Sequence, residues 1–133
     1  MPLLLAEKPE AIPEALSLER FTGTVNNQTD ASLVLLYSNV CQVWDKSPAF
    51  EVPRGTQVVF GSSGDFANPA CGTVSYQYKG TRVPGAPAFT LHYTIPSLGP
   101  NQIVVTSDPG LGVVIEGDRS GWDVYLTFVV TVG

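Results

Sequence analysis

The sequence predicts an all-β protein: a single β-sandwich of about ten mostly antiparallel strands with a short N-terminal helix or extended tail. The chain has 133 residues, enough to bury one core, and 44% of them are hydrophobic. Its 13 glycines and 11 prolines recur at short intervals, which favours short strands joined by turns over a helical bundle. About ten runs of strand-forming residues, separated by turns and not by helices, indicate two packed sheets.

Two strongly patterned segments near the middle of the chain form the clearest part of this prediction. CGTVSYQYKG and PAFTLHYTIP alternate apolar and polar residues with period two, and the loop GTRVPGAP separates them. The pattern predicts an antiparallel pair with one apolar and one polar face, followed by a third strand at NQIVVTS. The apolar face holds Val74, Tyr76 and Tyr78 in the first strand and Phe89, Leu91, Tyr93 and Ile95 in the second.

The remaining strands lie on both sides of this block. RFTGTV, the turn NNQTD and SLVLLYS indicate a hairpin, with Leu33, Leu35 and Tyr37 on one face. CQVW, FEV, TQVVFGS and LGVVIEG are predicted as further strands between turns. The last run, WDVYLTFVVTV, alternates throughout, and one of its faces carries Trp122, Val124, Leu126, Phe128, Val130 and Val132.

An N-terminal extension at residues 1–19 differs in composition from the domain predicted at residues 20–133. It holds three prolines and four acidic residues, and Pro13 suits the first position of a short helix. We interpret it as a tail or short helix laid on the domain, with a membrane-seeking segment as the alternative. PLLL is shorter than the apolar core of a signal peptide, and no run reaches the length of a membrane span. A soluble chain is the expectation, and a cytoplasmic chain, a chain secreted without a leader and a recombinant chain whose leader was removed stay open as alternatives. Action after secretion or at a membrane is favoured.

The net charge limits the possible partners of the chain, and the cysteine content limits its possible covalent cross-links. The net charge of -5 makes nucleic acid an unsuitable partner and disfavours anionic lipid, whereas a neutral headgroup, a sugar or another protein remains compatible. Cys41 and Cys71 are the two cysteines of the chain. They predict either one disulfide across about 30 residues or two buried thiols in a reducing compartment, and these alternatives stay open at the level of sequence.

The sequence carries no recognisable catalytic or metal-binding motif, so no cofactor and no enzymatic activity are predicted. His92 is the single histidine and lies mid-strand among threonines, which indicates a solvated side chain and not a metal ligand. Asp108, Glu116, Asp118 and Asp123 cluster towards the C-terminal end, mostly in or beside turns. Turn formation explains them better than carboxylate-pair chemistry.

Aromatic residues are the remaining signal. Trp44 and Trp122, with several tyrosines and phenylalanines, are numerous and spread over both strand faces. Tryptophan and tyrosine combine a polar tip with an apolar body, which suits both membrane interfaces and stacking on sugar rings. For any single aromatic residue, a place in the core is the simpler interpretation.

The order of several segments resembles that of actinoporins and actinoporin-like proteins. These segments are VPRGTQVVFGS (52–62), ACGTVSYQYKG (70–80) and FTLHYTIPSLGPNQIVV (89–105), preceded by VNNQTDASL. The same sandwich is used by aegerolysins and fungal fruit-body lectins, and the size and acidity of this chain are closer to the aegerolysins. The resemblance implies recognition of a neutral lipid headgroup, such as sphingomyelin or a ceramide phospholipid, with pore formation after oligomerisation as a further implied activity.

The resemblance also implies which residues would contact the headgroup. Thr94 stands at the position of a headgroup-contacting serine, Pro96 at that of the loop proline, and Val74 in the strand lining the same pocket. A tyrosine such as Tyr78 would offer its hydroxyl. The sequence departs from the family at SLGPN, where actinoporins have an aromatic membrane loop, and it lacks their long amphipathic N-terminal helix. A helix of eight residues spans about 12 Å, well short of a roughly 30 Å hydrocarbon core, so pore formation by this chain alone is not expected.

Three functions are therefore carried forward. The first is a non-enzymatic, cytolysin-like protein that binds a neutral, sphingolipid-type headgroup, with aromatic side chains entering the membrane interface. The second is a lectin on the same fold, in which Trp44 or Trp122 stacks on a sugar. The third is a self-assembling protein whose strand edges pair between copies.

Overall fold

A computed structural model describes residues 19–65 and 67–132 of the chain. The predicted N-terminal helix, and all of the extension except Glu19, lie outside this part. Ten strands follow one another without a helix between them in the described residues. They are β1 (Arg20–Asn27), β2 (Leu33–Val40), β3 (Trp44–Lys46), β4 (Glu51–Val52), β5 (Gln57–Ser63), β6 (Ala70–Tyr78), β7 (Ala88–Ile95), β8 (Gln102–Ser107), β9 (Leu111–Glu116) and β10 (Asp123–Val132).

The strands form two five-stranded sheets. Sheet A has the order β3-β5-β1-β10-β9, and sheet B has the order β4-β2-β6-β7-β8. Strands β1 and β10 pair in parallel, and every other pair in the two sheets is antiparallel. The predicted all-β architecture of about ten mostly antiparallel strands is confirmed.

The core lies between the two sheets and is rich in aromatic side chains. The ring of Phe21 stacks on that of Tyr93, with the ring centroids 3.9 Å apart. Period-two alternation places the predicted apolar faces of β6, β7 and β10 inward. The buried hydrophobic residues are Phe21, Val25, Leu33, Val52, Phe60, Ala70, Val74, Tyr76, Tyr78, Phe89, Leu91, Tyr93, Ile95, Leu111, Val124, Leu126, Phe128 and Val130.

The predicted hairpin of β1 and β2 is wrong, because β1 belongs to sheet A and β2 to sheet B. The chain passes from sheet A to sheet B in the turn after β1, and the fully buried amide of Asn27 stabilises this turn. Its Nδ2 donates to the carbonyl oxygens of Ala31 and Val52, each at 2.8 Å, and its Oδ1 accepts from the backbone N–H and hydroxyl of Thr29. These bonds satisfy the polar groups of a turn that would otherwise be buried unpaired.

Strand β2 contains a bulge that moves Tyr37 to the other face of sheet B. The register with β6 shifts between Leu35, opposite Tyr76, and Tyr37, opposite Ser75. An extra residue reverses the alternation, so Tyr37 does not share a face with Leu33 and Leu35 as the sequence predicts. Its side chain is 49% exposed.

A disulfide joins Cys41 to Cys71, with their Cα atoms 5.4 Å apart. Of the two alternatives that the sequence leaves open, the bonded one is present. The backbone N–H of Cys41 also donates to the carbonyl oxygen of Cys71 at 3.0 Å. The end of β2 is therefore held against the start of β6 by a covalent link and a hydrogen bond.

Four connections meet at one end of the sandwich, which we call the loop end. In the described residues they are 41–43, 64–65 with 67–69, 96–101 and 117–122, and each joins two successive strands. The backbone N–H of Gly64 donates to the carbonyl oxygen of Glu19, and the hydroxyl of Ser97 donates to that of Asp65 at 3.3 Å. Among the described residues, no helix is long and apolar enough to cross a membrane.

Candidate functional site at the loop end

Two apolar side chains project from the connections of the loop end. Val43 is 68% exposed in the connection 41–43, and Leu98 is 54% exposed in the connection 96–101. Gly99 follows Leu98 with φ of 90°, a left-handed conformation that glycine adopts readily, so the chain turns tightly there. Both side chains lie at the same end of the sandwich, where they are available for contact with a membrane or another protein.

Trp122 joins the connection 117–122 to the connection 96–101 by a hydrogen bond. Its indole N–H donates to the carbonyl oxygen of Ser97 at 2.8 Å, and the ring is half-buried. The side-chain amide of Asn101 donates to the carbonyl oxygens of Arg119 and Gly121, both at 2.8 Å. The connections 96–101 and 117–122 are thus cross-linked by side chains, which presents Leu98 on a braced loop.

A groove of about 500 Å³ opens beside the loop end, on the outer face of sheet A and against its short edge strand β3. The register of β3 with β5 shifts between Trp44, opposite Ser62, and Lys46, opposite Gly61. The carboxylate of Asp45, which lies at this irregularity, accepts a hydrogen bond of 2.5 Å from the hydroxyl of Ser63. The groove is lined by Arg20, Thr22, Asp45, Lys46, Val59, Phe60, Gly61 and Ser63.

The groove combines two cationic side chains with one carboxylate. Arg20 and Lys46 are exposed, and no described residue forms an ion pair or hydrogen bond with either side chain. Guanidinium and ammonium groups are the usual protein ligands of phosphate. The groove therefore offers two cationic side chains on a chain of net charge -5, with the carboxylate of Asp45 among them and the exposed Asp123 opposite Arg20 in the β1–β10 pair.

The structure places Val74 and Tyr78, two of the residues expected to contact a headgroup, in the core of the sandwich. Both side chains are fully buried between the sheets. The hydroxyl of Tyr78 donates to Asp30 at 2.6 Å, in the turn between β1 and β2 and away from the loop end. This hydrogen bond, with burial, raises the pKa of Tyr78. Inward alternation along β6 makes neither side chain available to a ligand on the surface.

Thr94 and Pro96 remain accessible. Thr94 is half-buried on the outer face of sheet B, opposite Cys71, and its hydroxyl lies 3.5 Å from Nε2 of His92. Pro96 begins the connection 96–101. The structure thus brings Pro96, Trp122 and Leu98 to the loop end, and it separates them from the two buried residues expected in the same pocket.

Trp44 forms part of β3 and is half-buried. Its ring meets that of Phe60 edge-on, with centroids 6.0 Å apart and an interplanar angle of 86°. The aromatic side chains of Phe60, Tyr76, Tyr78 and Tyr93 lie in the core, whereas Tyr125 is exposed on the outer face of sheet A. Neither tryptophan presents a fully open ring face, which weakens their expected role in stacking on sugar.

Of the acidic residues near the C-terminal end, Asp108 and Asp118 lie in turns, whereas Glu116 ends β9 and Asp123 begins β10. Asp118 accepts hydrogen bonds from the hydroxyl of Ser120 at 2.7 Å and from its backbone N–H at 2.9 Å. These bonds lower the pKa of Asp118. The carboxylate of Asp108 accepts from the backbone N–H of Ala88 at 3.0 Å. In the described residues, no three histidine, cysteine or acidic side chains are grouped closely enough to hold a metal ion.

Sequence reasoning missed the residues that line the groove and project from the loop end. Arg20 begins a strand, and Lys46 lies in a segment predicted as a turn, so neither belongs to a recognisable motif. Val43 lies in CQVW, which was predicted as a strand, whereas the structure begins β3 only at Trp44. Leu98 is an apolar residue in the predicted turn PSLGPN, and that was the available signal. No protein-family model matches the chain, and no curated protein is significantly similar to it.

Proposed function

We propose that the protein is a non-enzymatic binder of neutral lipid surfaces, with the loop end inserted into the membrane interface and the headgroup held in the groove. One observation carries this proposal: Val43, an exposed apolar tip, directly precedes the strand β3 whose Asp45 and Lys46 line the groove. Insertion of the tip would bring the groove to the depth of the headgroups. Apolar contact and headgroup contact would then occur together.

A zwitterionic headgroup fits the charges of the groove. Its phosphate would lie against Arg20 and Lys46, and its ammonium group against Asp45. A purely anionic surface would be repelled by the net charge of the chain. The headgroup chemistry is therefore the one expected from the resemblance, but the residues proposed to bind it differ.

The expected affinity of one chain is modest. Full burial of a valine or leucine side chain contributes roughly 1.5 to 3 kcal/mol, so two tips supply only a few kcal/mol in total. Headgroup binding must add to this, or several chains must act together on one surface. Pore formation would require such an assembly, and dye leakage from vesicles is its separate test.

Co-sedimentation with vesicles tests the proposal. Vesicles of phosphatidylcholine alone are compared with vesicles that also contain sphingomyelin or ceramide phosphoethanolamine. We expect the wild type to sediment with one of these vesicles, and Leu98→Asp to weaken binding roughly tenfold or more because a charge replaces an inserted side chain. Val114→Asp is the matched control, since Val114 is 58% exposed on β9 at the other edge of sheet A.

The headgroup site is tested with Arg20→Gln combined with Lys46→Gln, beside Thr94→Asp. Loss of binding in the groove variant alone supports the groove. Loss in Thr94→Asp alone would move the headgroup to the outer face of sheet B, as the resemblance implies. If the wild type sediments with none of the vesicles, lipid binding is rejected.

A lectin function is the second candidate, and the outer face of sheet B favours it. The hydroxyl of Thr73 lies 2.9 Å from Nδ1 of His92, and those of Ser75 and Thr90 lie 3.0 Å apart. No formal charge occurs on the outward side chains of β6, β7 and β8, which are Cys71, Thr73, Ser75, Gln77, Ala88, Thr90, His92, Thr94, Gln102, Val104 and Thr106.

Neutral hydroxyl and amide groups suit hydrogen bonding to sugar hydroxyls, and the exposed Tyr37 at the side of this face could stack on a ring. Binding on a glycan array that is reduced in Tyr37→Ala and unchanged in Leu98→Asp would establish this alternative. An array without any bound glycan would remove it.

A further inference from the structure

The sandwich has four edge strands, and three of them are protected against pairing with another chain. Strand β3 has three residues and includes Asp45 and Lys46, whereas β4 has two residues and includes Glu51. Strand β9 contains Gly112 and ends at the exposed Glu116. Short length and charge are features by which proteins keep sheet edges from associating, and a glycine weakens a strand.

Strand β8 differs from the other three edges. Its six residues, QIVVTS, include no charge, proline or glycine, and its register with β7 continues without a bulge. Val104 is 52% exposed at the middle of the strand. An edge of this kind offers a row of backbone donors and acceptors with nothing that would repel a second strand.

The direction of these backbone groups follows from the ladder. The N–H of Asp108 donates to the carbonyl oxygen of Ala88, in register with the β7–β8 pairs. Since hydrogen-bonding direction alternates along an antiparallel strand, the even-numbered residues of β8 bond to β7. The backbone groups of Ile103 and Val105 therefore point away from the sheet, and no hydrogen bond from the described residues reaches them.

We propose that two copies of the chain pair antiparallel along β8, about a two-fold axis at Val104. In this register Ile103 of one copy bonds to Val105 of the other, Val104 meets its own counterpart, and Gln102 lies opposite Thr106. No charged side chains face each other across the axis. The two copies of sheet B then form one continuous ten-stranded sheet, and the loop ends point in opposite directions.

The lack of charge on β8 makes this edge the one at which a second copy is least opposed. Two copies that each carry a net charge of -5 repel each other, and the repulsion is weakest where the approaching surfaces carry no charge. Cross-strand contact of the two Val104 side chains adds apolar burial to the new backbone hydrogen bonds. The dimer does not depend on lipid or sugar binding.

The test is the molar mass of the full chain, measured by light scattering and sedimentation equilibrium over a range of concentrations without lipid. We expect a concentration-dependent dimer. Val104→Lys and Val104→Glu should each be monomeric, because like charges meet at the axis, and an equimolar mixture of the two should restore the dimer. Val114→Lys, the same change at an exposed valine on β9, should leave the dimer intact.

Val105→Pro provides a second disruption, because it removes an N–H that points away from β7 and leaves the β7–β8 ladder complete. Circular dichroism verifies that each variant is folded. A wild type that is monomeric at all concentrations would overturn the proposal. So would dimers of Val104→Lys as stable as those of the wild type, or a mixture of the two charge variants that stays monomeric.

Discussion

The hydroxyl groups of Ser62 and Tyr93 lie 2.5 Å apart in the fully buried space between the sheets. Ser62 belongs to β5 of sheet A and Tyr93 to β7 of sheet B, so this hydrogen bond joins the two layers directly. The Tyr93 ring also stacks on Phe21. A polar contact inside an apolar core fixes how the two layers sit against each other, because only one arrangement pairs both hydroxyls.

Breaking this pair from either side should destabilise the fold by about 1 to 2 kcal/mol. Tyr93→Phe leaves the Ser62 hydroxyl buried without its partner, and Ser62→Ala leaves that of Tyr93. The double variant should cost less than the sum of the two single changes, since it leaves no orphaned hydroxyl. Urea denaturation of the four proteins measures the free energies of unfolding. Strict additivity would show that the two hydroxyls do not interact.

Stability should fall in strong alkali between pH 10 and pH 12. Burial raises the pKa of Tyr76 and of Tyr93 from the usual 10.0 to about 12, and for Tyr93 it outweighs the lowering effect of the bond to Ser62. The unfolded chain therefore ionises these tyrosines at lower pH than the folded chain does. Their contribution is complete below pH 10 and is lost as the pH rises through 12.

The near-ultraviolet absorbance of tyrosinate monitors this titration, and urea denaturation at each pH gives the stability. Tyr76→Phe should remove one late-titrating group and flatten the fall in stability above pH 10. A titration in which every tyrosine ionises together near pH 10, while the protein is still folded, would contradict the assigned burial.

Asn27→Ala should lower the free energy of unfolding by about 2 to 4 kcal/mol. The substitution leaves the carbonyl oxygen of Val52 and the N–H of Thr29 without their side-chain partner, whereas the carbonyl oxygen of Ala31 keeps the hydroxyl of Thr29. Asn27→Asp keeps the size of the side chain but places a carboxylate against two carbonyl oxygens. This variant should become more stable as the pH falls, because the protonated carboxyl can donate to one of them. A stability independent of pH would rule out this contact pattern.

Removal of the disulfide with Cys41→Ser and Cys71→Ser should lower the free energy of unfolding by roughly 3 to 4 kcal/mol, the loop-closure value for a separation of 30 residues. Denaturation of the wild type with and without a reducing agent provides the same comparison without mutation. If reduction leaves the midpoint unchanged, the bond is absent from the protein in solution.

The strands and most of their inward faces could be predicted from the sequence, because alternation with period two reports directly on burial. Val74, Leu91 and Phe128 follow that rule and lie in the core. Tyr37 does not, because the bulge in β2 is a backbone irregularity that residue types alone do not encode. The crossing after β1 was also missed, since the turn residues around Asn27 suit a hairpin equally well.

The groove could not be predicted, because it is made by residues brought together through sheet order. Arg20, Lys46 and Ser63 come from β1, β3 and β5, and no local pattern reports that these strands are neighbours. Tyr78 shows the converse error, since an aromatic hydroxyl that looks available in the sequence is directed inward to Asp30. The position of the groove and the direction of Tyr78 are both set by how the strands are arranged in the sheets, and not by composition.

The parallel pairing of β1 with β10 sets an order on folding as the ribosome makes the chain. All the strands of sheet B have emerged before β10, so that layer can assemble early. Sheet A, in contrast, lacks the strand that joins β1 to β9 until β10 has emerged. Until then the backbone groups of β1 that pair with β10 have no partner strand, and part of the apolar face of sheet B is not covered by sheet A. Nascent chains that stall before β10 should therefore be the species that most needs a chaperone.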